Sequence, residues 1–282
     1  MRIAVVTDST SGLSGSTAHD RPHAVVPLTV AVGDTVYTDG VDITTDAFYM
    51  LMANRHLATT SQPPPALFSE TYAGLAADGF EAVVSVHCAA QLSGTCSAAQ
   101  EAARHAPIPV TVVDTKTIGA ALSVVVRAAV RIAATTQNVD EVAAAARDVA
   151  AASRTFFIVD DLDHLRRGGR LKATQAAIGQ ALHVKPLLHI ADDGTVAVAQ
   201  RHRTWKRAVS ELAAHASTVF ATPVYAVIAH ATAPERATHV EHELRRVMDV
   251  HHVEHDVIGP VVGAHVGAGA AGVALVPVSL LP

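Results

Sequence analysis

Short apolar runs rich in β-branched residues alternate with longer alanine-rich stretches in the first half of the chain. The apolar runs lie at residues 3–6, 24–32, 82–86, 110–113 and 156–159. They lack strict polar alternation, as is typical of strands covered on both faces of a parallel sheet. The alanine-rich stretches predict helices at residues 68–77, 97–104, 118–134 and 139–152. This alternation predicts a doubly wound, mostly parallel α/β fold.

The pattern changes near residue 160. Paired glycines predict a turn over residues 166–170, and Asp193-Gly194 predicts a hairpin over residues 187–203. Further helices are predicted at residues 174–182, 206–215 and 234–248, with a strand at residues 224–228. With 282 residues the chain exceeds the usual length of one domain. We predict an N-terminal α/β domain of residues 1–157 and a smaller C-terminal α/β domain of residues 158–282, packed with a cleft between them.

Charge and cysteine content narrow the class of protein. The formal net charge is -5 and the basic residues are dispersed, which gives no footprint for nucleic acid. The two cysteines, Cys88 and Cys96, are expected to be free thiols in a cytoplasmic protein, since the chain starts without a secretory signal pattern. Arg127 and Arg131 interrupt the most apolar stretch, which argues against stable membrane insertion.

Serine, threonine and aspartate follow several of the predicted strands. These hydroxyl-rich loops lie at residues 7–11, 59–62, 93–95 and 114–117. Ligands of doubly wound sheets lie beyond the carboxyl ends of the strands. Ser93-Gly94-Thr95 also precedes a predicted helix, whose free N–H groups and positive dipole end favour an anion. The pattern indicates a small anionic ligand such as a carboxylate, with plain helix capping as the alternative explanation.

A serine hydrolase is one enzyme class to consider. Ser93 with a histidine and Asp8 or Asp114 could form a catalytic triad, which is recognised by geometry. Ser93 lies in Leu-Ser-Gly-Thr, however, and not in the G-x-S-x-G of a nucleophile elbow.

Two other motifs match by letter only. Residues 267–272 read G-x-G-x-x-G, but only residues 273–282 follow, too few for a dinucleotide-binding unit. Those glycines are expected to let the backbone approach a ligand or another strand. Residues 251–255 read H-x-x-E-H, a zinc motif that requires a helix, whereas the β-branched residues around them predict strand or loop. We predict no metal site, no cofactor and no catalytic residue.

Taken in order, the motifs resemble those of the DegV family of bacterial fatty-acid-binding proteins. The matching segments are residues 6–10, 60–63, 92–95, 113–116, 160–162, 167–170, 185–186, 203–204 and 258–260, with His265. They span nearly the whole chain in one order, so their joint occurrence is a strong signal.

The resemblance implies a long-chain fatty acid in a tunnel between two domains. The positions that match the family's carboxylate site are Thr60, Ser61, Ser93 and His265, with the backbone amides of Gly94 and Gly267. Thr95, in the same segment as Ser93, is also predicted to bind the ligand. In one branch of the family, such proteins present the acid to a separate fatty acid kinase and are not themselves enzymes. Arg170 and Arg203 would then lie at the head-group end or face the kinase. A hydrolase using Ser93 and His265, or a binder of another small anionic metabolite, are the alternatives.

Some positions depart from the family pattern. Cys96 replaces an aromatic residue, and Val266 and Ala268 replace threonine and proline. These changes could alter tunnel width, chain preference or docking. Small residues at 173–181 and 264–274 could leave room for an acyl chain, each buried methylene of which contributes about 0.8 kcal/mol.

Overall fold

The computed structural model describes residues 1–14, 22–54, 57–171 and 184–281, which form a mixed α/β fold with three sheets. The strands are β1 Ile3–Asp8, β2 Ala24–Val26, β3 Thr29–Val32, β4 Thr35–Thr38, β5 Ala58–Ser61, β6 Ala82–His87, β7 Val110–Asp114, β8 Arg154–Ile158, β9 Lys185–Ile190, β10 Val196–His202, β11 Val224–His230, β12 Val250–Val257 and β13 Ala271–Pro277. The helices are α1 Thr45–Ala53, α2 Pro65–Ala77, α3 Thr95–Ala103, α4 Ala120–Ala133, α5 Val139–Ala152, α6 Asp163–Arg167, α7 Trp205–Val219, α8 Pro234–Val247 and α9 Pro260–Val266. Single 3-10 turns lie at Ser9–Ser11 and Val278–Leu280.

The first sheet, here called the parallel sheet, has the order β2-β1-β6-β7 with every pair parallel. All residues of β1 and β6 are buried, as expected for strands covered on both faces. Helices α4 and α5 pack on one face, and α2 and α3 pack on the other. The predicted doubly wound arrangement is therefore confirmed.

The second sheet, here called the mixed sheet, has the order β10-β9-β8-β13-β11-β12. Its pairs are antiparallel except for β11 with β12. Helices α7 and α8 cover one face with a core of aliphatic side chains. The predicted hairpin is confirmed as β9 and β10, with Gly194 between them at a φ of 84°.

The predicted strand over residues 24–32 is wrong in one respect, because the structure divides it into β2 and β3. Strand β2 pairs with β1, whereas β3 pairs with β4 and β5 in a separate antiparallel sheet, here called the small sheet. Pro27 lies at the break, where a residue without a backbone N–H cannot continue a ladder. Thr60 and Ser61, expected in a loop, lie instead on β5 of the small sheet.

Two further predictions concern the domain division at residue 157 and the helix at residues 174–182. The helix predicted at residues 174–182 lies outside the described residues. The division at residue 157 stays a prediction, and it falls within β8, which pairs with β9 and β13 of the mixed sheet. Among the described helices, none combines the length and apolar character needed to cross a membrane.

A buried polar network lies at the carboxyl end of the parallel sheet. Asp8 Oδ2 lies 3.0 Å from His87 Nδ1 and accepts the N–H of Cys88 at 3.0 Å. His87 Nε2 lies 2.7 Å from the hydroxyl of Ser85, which lies 2.9 Å from that of Tyr72. Burial alone would raise the pKa of Asp8, but the bond and charge of His87 lower it below its ordinary value. The network therefore holds an ionised carboxylate in the core.

Removal of the Asp8 carboxylate should destabilise the fold strongly. Asp8→Ala leaves His87 and the Cys88 N–H without their buried acceptor, so we expect a loss of about 3–5 kcal/mol in the free energy of unfolding by urea denaturation. Asp34→Ala, at an exposed turn position, should change it by less than about 0.5 kcal/mol. Equal effects of the two substitutions would contradict this role.

Candidate functional site

A cavity with a volume of about 140 Å³ lies where the three sheets meet. It is about ten times larger than the space one buried water needs. Apolar side chains form most of its wall, including those of Leu28, Leu92, Ile118, Phe157, Leu165, Ile190, Val196, Val261, Val262, Val266 and Val273. They come from the loops after the parallel strands, from the mixed sheet, from α6 and from α9. The cavity therefore suits an apolar ligand, and its position between two domains stays a prediction.

Thr60 and His265 meet at one end of this cavity. Thr60 lies opposite Val30 in the ladder between β5 and β3, so its side chain points to the same face as that buried valine. His265 lies in the last turn of α9. Thr60 Oγ1 is 2.8 Å from His265 Nε2, which connects the small sheet to α9.

Burial sets the charge of His265. Desolvation, with the nearby positive groups of Arg170 and His164, lowers the pKa of His265 to about 4. The imidazole is therefore neutral at pH 7. Its Nδ1 is buried and has no hydrogen-bond partner among the described residues. A Cβ on Gly168 would lie 2.2 Å from this Nδ1, so the ring needs a glycine beneath it.

The Ser93-Gly94-Thr95 segment follows β6 and begins α3, as predicted. Ser93 Oγ is 2.8 Å from the Oγ1 of buried Thr95 and accepts the Thr95 N–H at 3.4 Å. A Cβ on Gly94 would lie 1.6 Å from Oε1 of Gln62. The glycine therefore allows Gln62, next to Ser61, to pack directly on this loop.

Arg170 supplies a positive charge close to the same loop. Its Nε donates to the carbonyl of Leu92 at 3.0 Å, and its Nη1 donates to that of Gly168 at 2.5 Å. These two bonds hold the guanidinium between the Ser93 loop and the glycine that contacts His265.

The structure thus brings five of the predicted residues to one end of the cavity, here called the hydroxyl end. They are Thr60, Ser61, Ser93, Arg170 and His265. Ser61 is exposed, so this end reaches the surface of the protein.

The other predicted residues lie outside the cavity wall. Gly94 and Thr95 follow Ser93 in the chain but do not line the cavity. Gly267 packs on His164, because a Cβ on this glycine would lie 2.9 Å from Cδ2 of His164. Arg203 is exposed between β10 and α7.

The structure does not assemble the triad considered for a hydrolase. Ser93 bonds with Thr95 and His265 with Thr60, and within the described ranges Ser93 and His265 form no hydrogen bond with each other. Asp8 pairs with His87, and Asp114 Oδ1 accepts the N–H of Ala90 at 3.1 Å.

The two remaining motifs have structural roles. Residues 251–255 lie on β12, which confirms the predicted strand, and His255 Nε2 is 2.7 Å from Glu241 Oε2. Residues 267–272 lead from α9 into β13, where a Cβ on Gly272 would lie 2.5 Å from the carbonyl of Phe156. This close approach of two strands was one of the two predicted uses of the glycines.

Of the three departures from the family pattern, only Val266 lies in the cavity wall. Cys96 is a buried free thiol whose Sγ donates to the carbonyl of Cys88 at 3.4 Å. Val266 lines the cavity, and Ala268 is exposed with its carbonyl accepting the hydroxyl of Thr232 at 2.9 Å. Their effect on the ligand stays a prediction.

Two carboxylates of the wall were not predicted. Asp39 and Asp256 line the cavity next to the turn Ser9–Ser11. Burial raises the pKa of Asp39 to about 6. The hydrogen bond from Ser9 opposes this rise, and the negative charge of Asp8 adds to it. Burial likewise raises the pKa of Asp256. Neither aspartate belongs to a motif that sequence patterns could identify.

The fold and cavity define an α/β protein with a parallel and a mixed sheet around an apolar site with hydroxyl groups at one end. The family model described as "Uncharacterised protein, DegV family" matches residues 2–278, and the chain belongs to this family. A DegV domain-containing protein of Streptomyces coelicolor is 41% identical over 273 residues, which cover 96% of this chain and 97% of the relative.

Solved structures agree with this assignment. A structure described as fatty acid binding of a DegV family protein from Thermus thermophilus is 29% identical, with a TM-score of 0.90 over 99% of this chain and 100% of that one. DegV of Bacillus subtilis, described as a fatty acid binding protein, is 30% identical, with a TM-score of 0.83 over 98% of this chain and 99% of that one. The predicted family and fold class are confirmed.

The buried neutral state of His265 predicts a specific pH dependence of stability. Between pH 6.5 and 4 the unfolded state takes up a proton at this residue while the folded state does not, so the wild type loses stability as pH falls. Replacement by glutamine removes this loss. The loss in the free energy of unfolding caused by His265→Gln should therefore be about 2 kcal/mol smaller at pH 4.5 than at pH 7.5. Urea denaturation at the two pH values measures this difference.

His105→Gln, at an exposed position after α3, is the control for the substitution itself. A cost of His265→Gln that does not change with pH would show that the imidazole is not held neutral.

Proposed function

We propose that this protein binds one long-chain fatty acid, with the acyl chain in the cavity and the carboxylate at the hydroxyl end. The observation that carries the proposal is the convergence of Thr60, Ser61, Ser93 and His265 at one end of an otherwise mostly apolar cavity. The solved relatives described as binding fatty acids support it.

The hydroxyl end has the donors that a buried carboxylate requires. An ionised carboxylate is costly to bury unless several donors compensate it. Three hydroxyl groups and a neutral imidazole line this end, and the N–H groups at the start of α3 lie next to Ser93. The guanidinium of Arg170 adds a favourable charge. In this proposal Gly94, Thr95 and Gly267 shape the site from behind its wall.

The apolar wall supplies most of the affinity. At about 0.8 kcal/mol for each buried methylene, a chain of sixteen carbons contributes up to about 12 kcal/mol before ordering costs. The tail therefore determines affinity, and the hydroxyl end determines orientation. This division fits a carrier that needs no catalytic residue.

Loss of one donor at the hydroxyl end should weaken fatty-acid binding. Ser93→Ala and Thr60→Val each remove a hydrogen bond to a charged group, worth about 1.5–3 kcal/mol, so Kd should rise roughly 10- to 100-fold. The measurement is titration calorimetry of delipidated protein with hexadecanoic acid. Ser69→Ala is the control, because its exposed hydroxyl on α2 bonds only the Pro65 carbonyl in the described structure.

Three outcomes would contradict this proposal in whole or in part. Unchanged affinity for hexadecanoic acid in both Ser93→Ala and Thr60→Val would show that the carboxylate does not bind at the hydroxyl end. Labelling of Ser93 by a fluorophosphonate probe, together with turnover of an acyl ester, would favour the hydrolase that uses Ser93 and His265. Release of a different small anion from the purified, unfolded protein would favour a metabolite binder.

We further propose that the loaded protein acts in the cytoplasm and presents the acid to a fatty acid kinase. The family resemblance supports this step. The exposed Ser61 would give the kinase access to the carboxylate, and exposed Arg203 would contact the kinase. Arg170, which is held inside the site, would position the carboxylate.

Arg203→Ala should slow phosphoryl transfer from ATP to the bound acid by roughly tenfold when a bacterial fatty acid kinase is added. The Kd for hexadecanoic acid should stay unchanged, since Arg203 does not line the cavity. Arg104→Ala, at the exposed end of α3, is the control. A parallel loss of fatty-acid affinity, or no loss of rate, would exclude a role for Arg203 in docking.

A further inference from the structure

The cavity has a second polar region, away from the hydroxyl end. Asp39 and Asp256 line it, and both lie against the single turn that follows β1. Ser9 donates a hydrogen bond to Asp39, and Oδ2 of Asp256 would be 3.3 Å from a Cβ on Gly12. Because Ser9 and Gly12 are one turn apart, the two carboxylates border the same part of the cavity, here called the acidic end.

The small sheet shows how far the acidic end lies from the hydroxyl end. Thr60 pairs with Val30 on one side of β3. On the other side, the Asp39 N–H donates to the carbonyl of Leu28, which lies two residues before Val30, just outside the strand. Asp39 is therefore two strand spacings across the sheet from Thr60 and two residues along it. This offset places their Cα atoms roughly 12 Å apart.

Helix α9 shows the same separation independently. His265 lies in its last turn, and Gly259 caps its start, three residues after Asp256. The rise from Gly259 to His265 is about 9 Å. Both elements therefore place hydroxyl donors and aspartates at opposite ends of one cavity.

Among the described residues, no salt bridge neutralises the two aspartates, and Arg127 and His230 act on Asp256 only through their charge. The guanidinium of Arg127, which faces Asp256, donates to Glu254 at 3.1 Å and to Tyr225 at 2.8 Å. Within the described residues, neither Asp39 nor Asp256 forms an ion pair. Asp39 is only 6% exposed, so its charge is poorly screened by solvent.

We propose that Asp39 and Asp256 are specificity-determining residues, which orient the fatty acid and exclude ligands with a second carboxylate at the distal end of the chain. This inference rests on the proposed fatty-acid binding. An anionic distal group would meet two carboxylates that form no ion pair with a described residue, in a cavity of low dielectric. Such like-charge contacts discriminate strongly between ligands. A distal hydroxyl group can instead donate a hydrogen bond to either aspartate.

The test compares three ligands with the same chain at pH 7.5 by titration calorimetry of delipidated protein: hexadecanoic acid, 16-hydroxyhexadecanoic acid and hexadecanedioic acid. The wild type should bind the diacid at least roughly tenfold more weakly than the monoacid, and the hydroxy acid within about threefold of the monoacid.

Charge removal at the acidic end should reduce this discrimination. Asp39→Asn and Asp256→Asn keep the side-chain shape, and each should lower the ratio of the diacid Kd to the monoacid Kd by roughly threefold or more. Asp34→Asn, at the exposed turn before β4, should leave the ratio unchanged. Two separate variants keep the test valid if one of them fails to fold.

The outcomes separate this inference from the proposed function. Absence of hexadecanoic acid binding in the wild type would overturn fatty-acid binding itself. Binding of the monoacid together with equal affinity for the diacid would overturn only the role of the aspartates, as would a Kd ratio that neither asparagine variant changes.

Discussion

The carboxylate of Asp8 is the interaction on which the cavity depends most directly. One oxygen binds His87 and the N–H of Cys88 at the end of β6, and the other binds the N–H of Thr10 at 3.1 Å in the turn after β1. Two loops that leave the parallel sheet are therefore fixed to one buried charge. One leads to Ser93 at the hydroxyl end, and the other borders Asp39 and Asp256. This side chain therefore joins the two loops that border the two ends of the cavity.

The bond between Thr60 and His265 closes the same site from the other side. It joins the small sheet to α9, although Thr60 and His265 are 205 positions apart in the chain. The ring of His265 lies on Gly168, and the guanidinium of Arg170 holds that segment to the Ser93 loop. Thr60, His265 and Arg170 are therefore each oriented by a contact from a distant part of the chain, which is how a rigid site for a small polar group is built.

Regular hydrophobic patterns allowed much of the fold to be predicted from sequence. Strands β1 and β6 are apolar runs buried on both faces, and β7 is an apolar run that is partly buried at the edge of the sheet. Helices α4 and α5 are long and alanine-rich. The small sheet could not be predicted, since β4 and β5 are short and partly exposed, and the chain changes sheets at Pro27 without a change in composition. The sequence pattern therefore predicts a loop at Thr60.

Site residues were predictable to the extent that they lie in recognisable motifs. Ser93 starts a helix after a parallel strand, which local sequence indicates directly. Its association with Thr60, Ser61 and His265 came from the family resemblance, because no local spacing relates them. Asp39 and Asp256 gave no signal, since their proximity to the cavity arises from the turn at Ser9–Ser11 and from tertiary contacts.

The order of strands in the mixed sheet has a consequence for biosynthesis. Strand β13 lies between β8 and β11, although both precede it in the chain. Until translation has passed Pro277, β8 and β11 lack the strand that joins them, and the cavity wall lacks Val273 and Ala274. Contacts of such long sequence separation also form slowly. The newly made chain therefore completes its cavity only after synthesis has reached this strand, so a ligand of the proposed class cannot guide the early steps of folding.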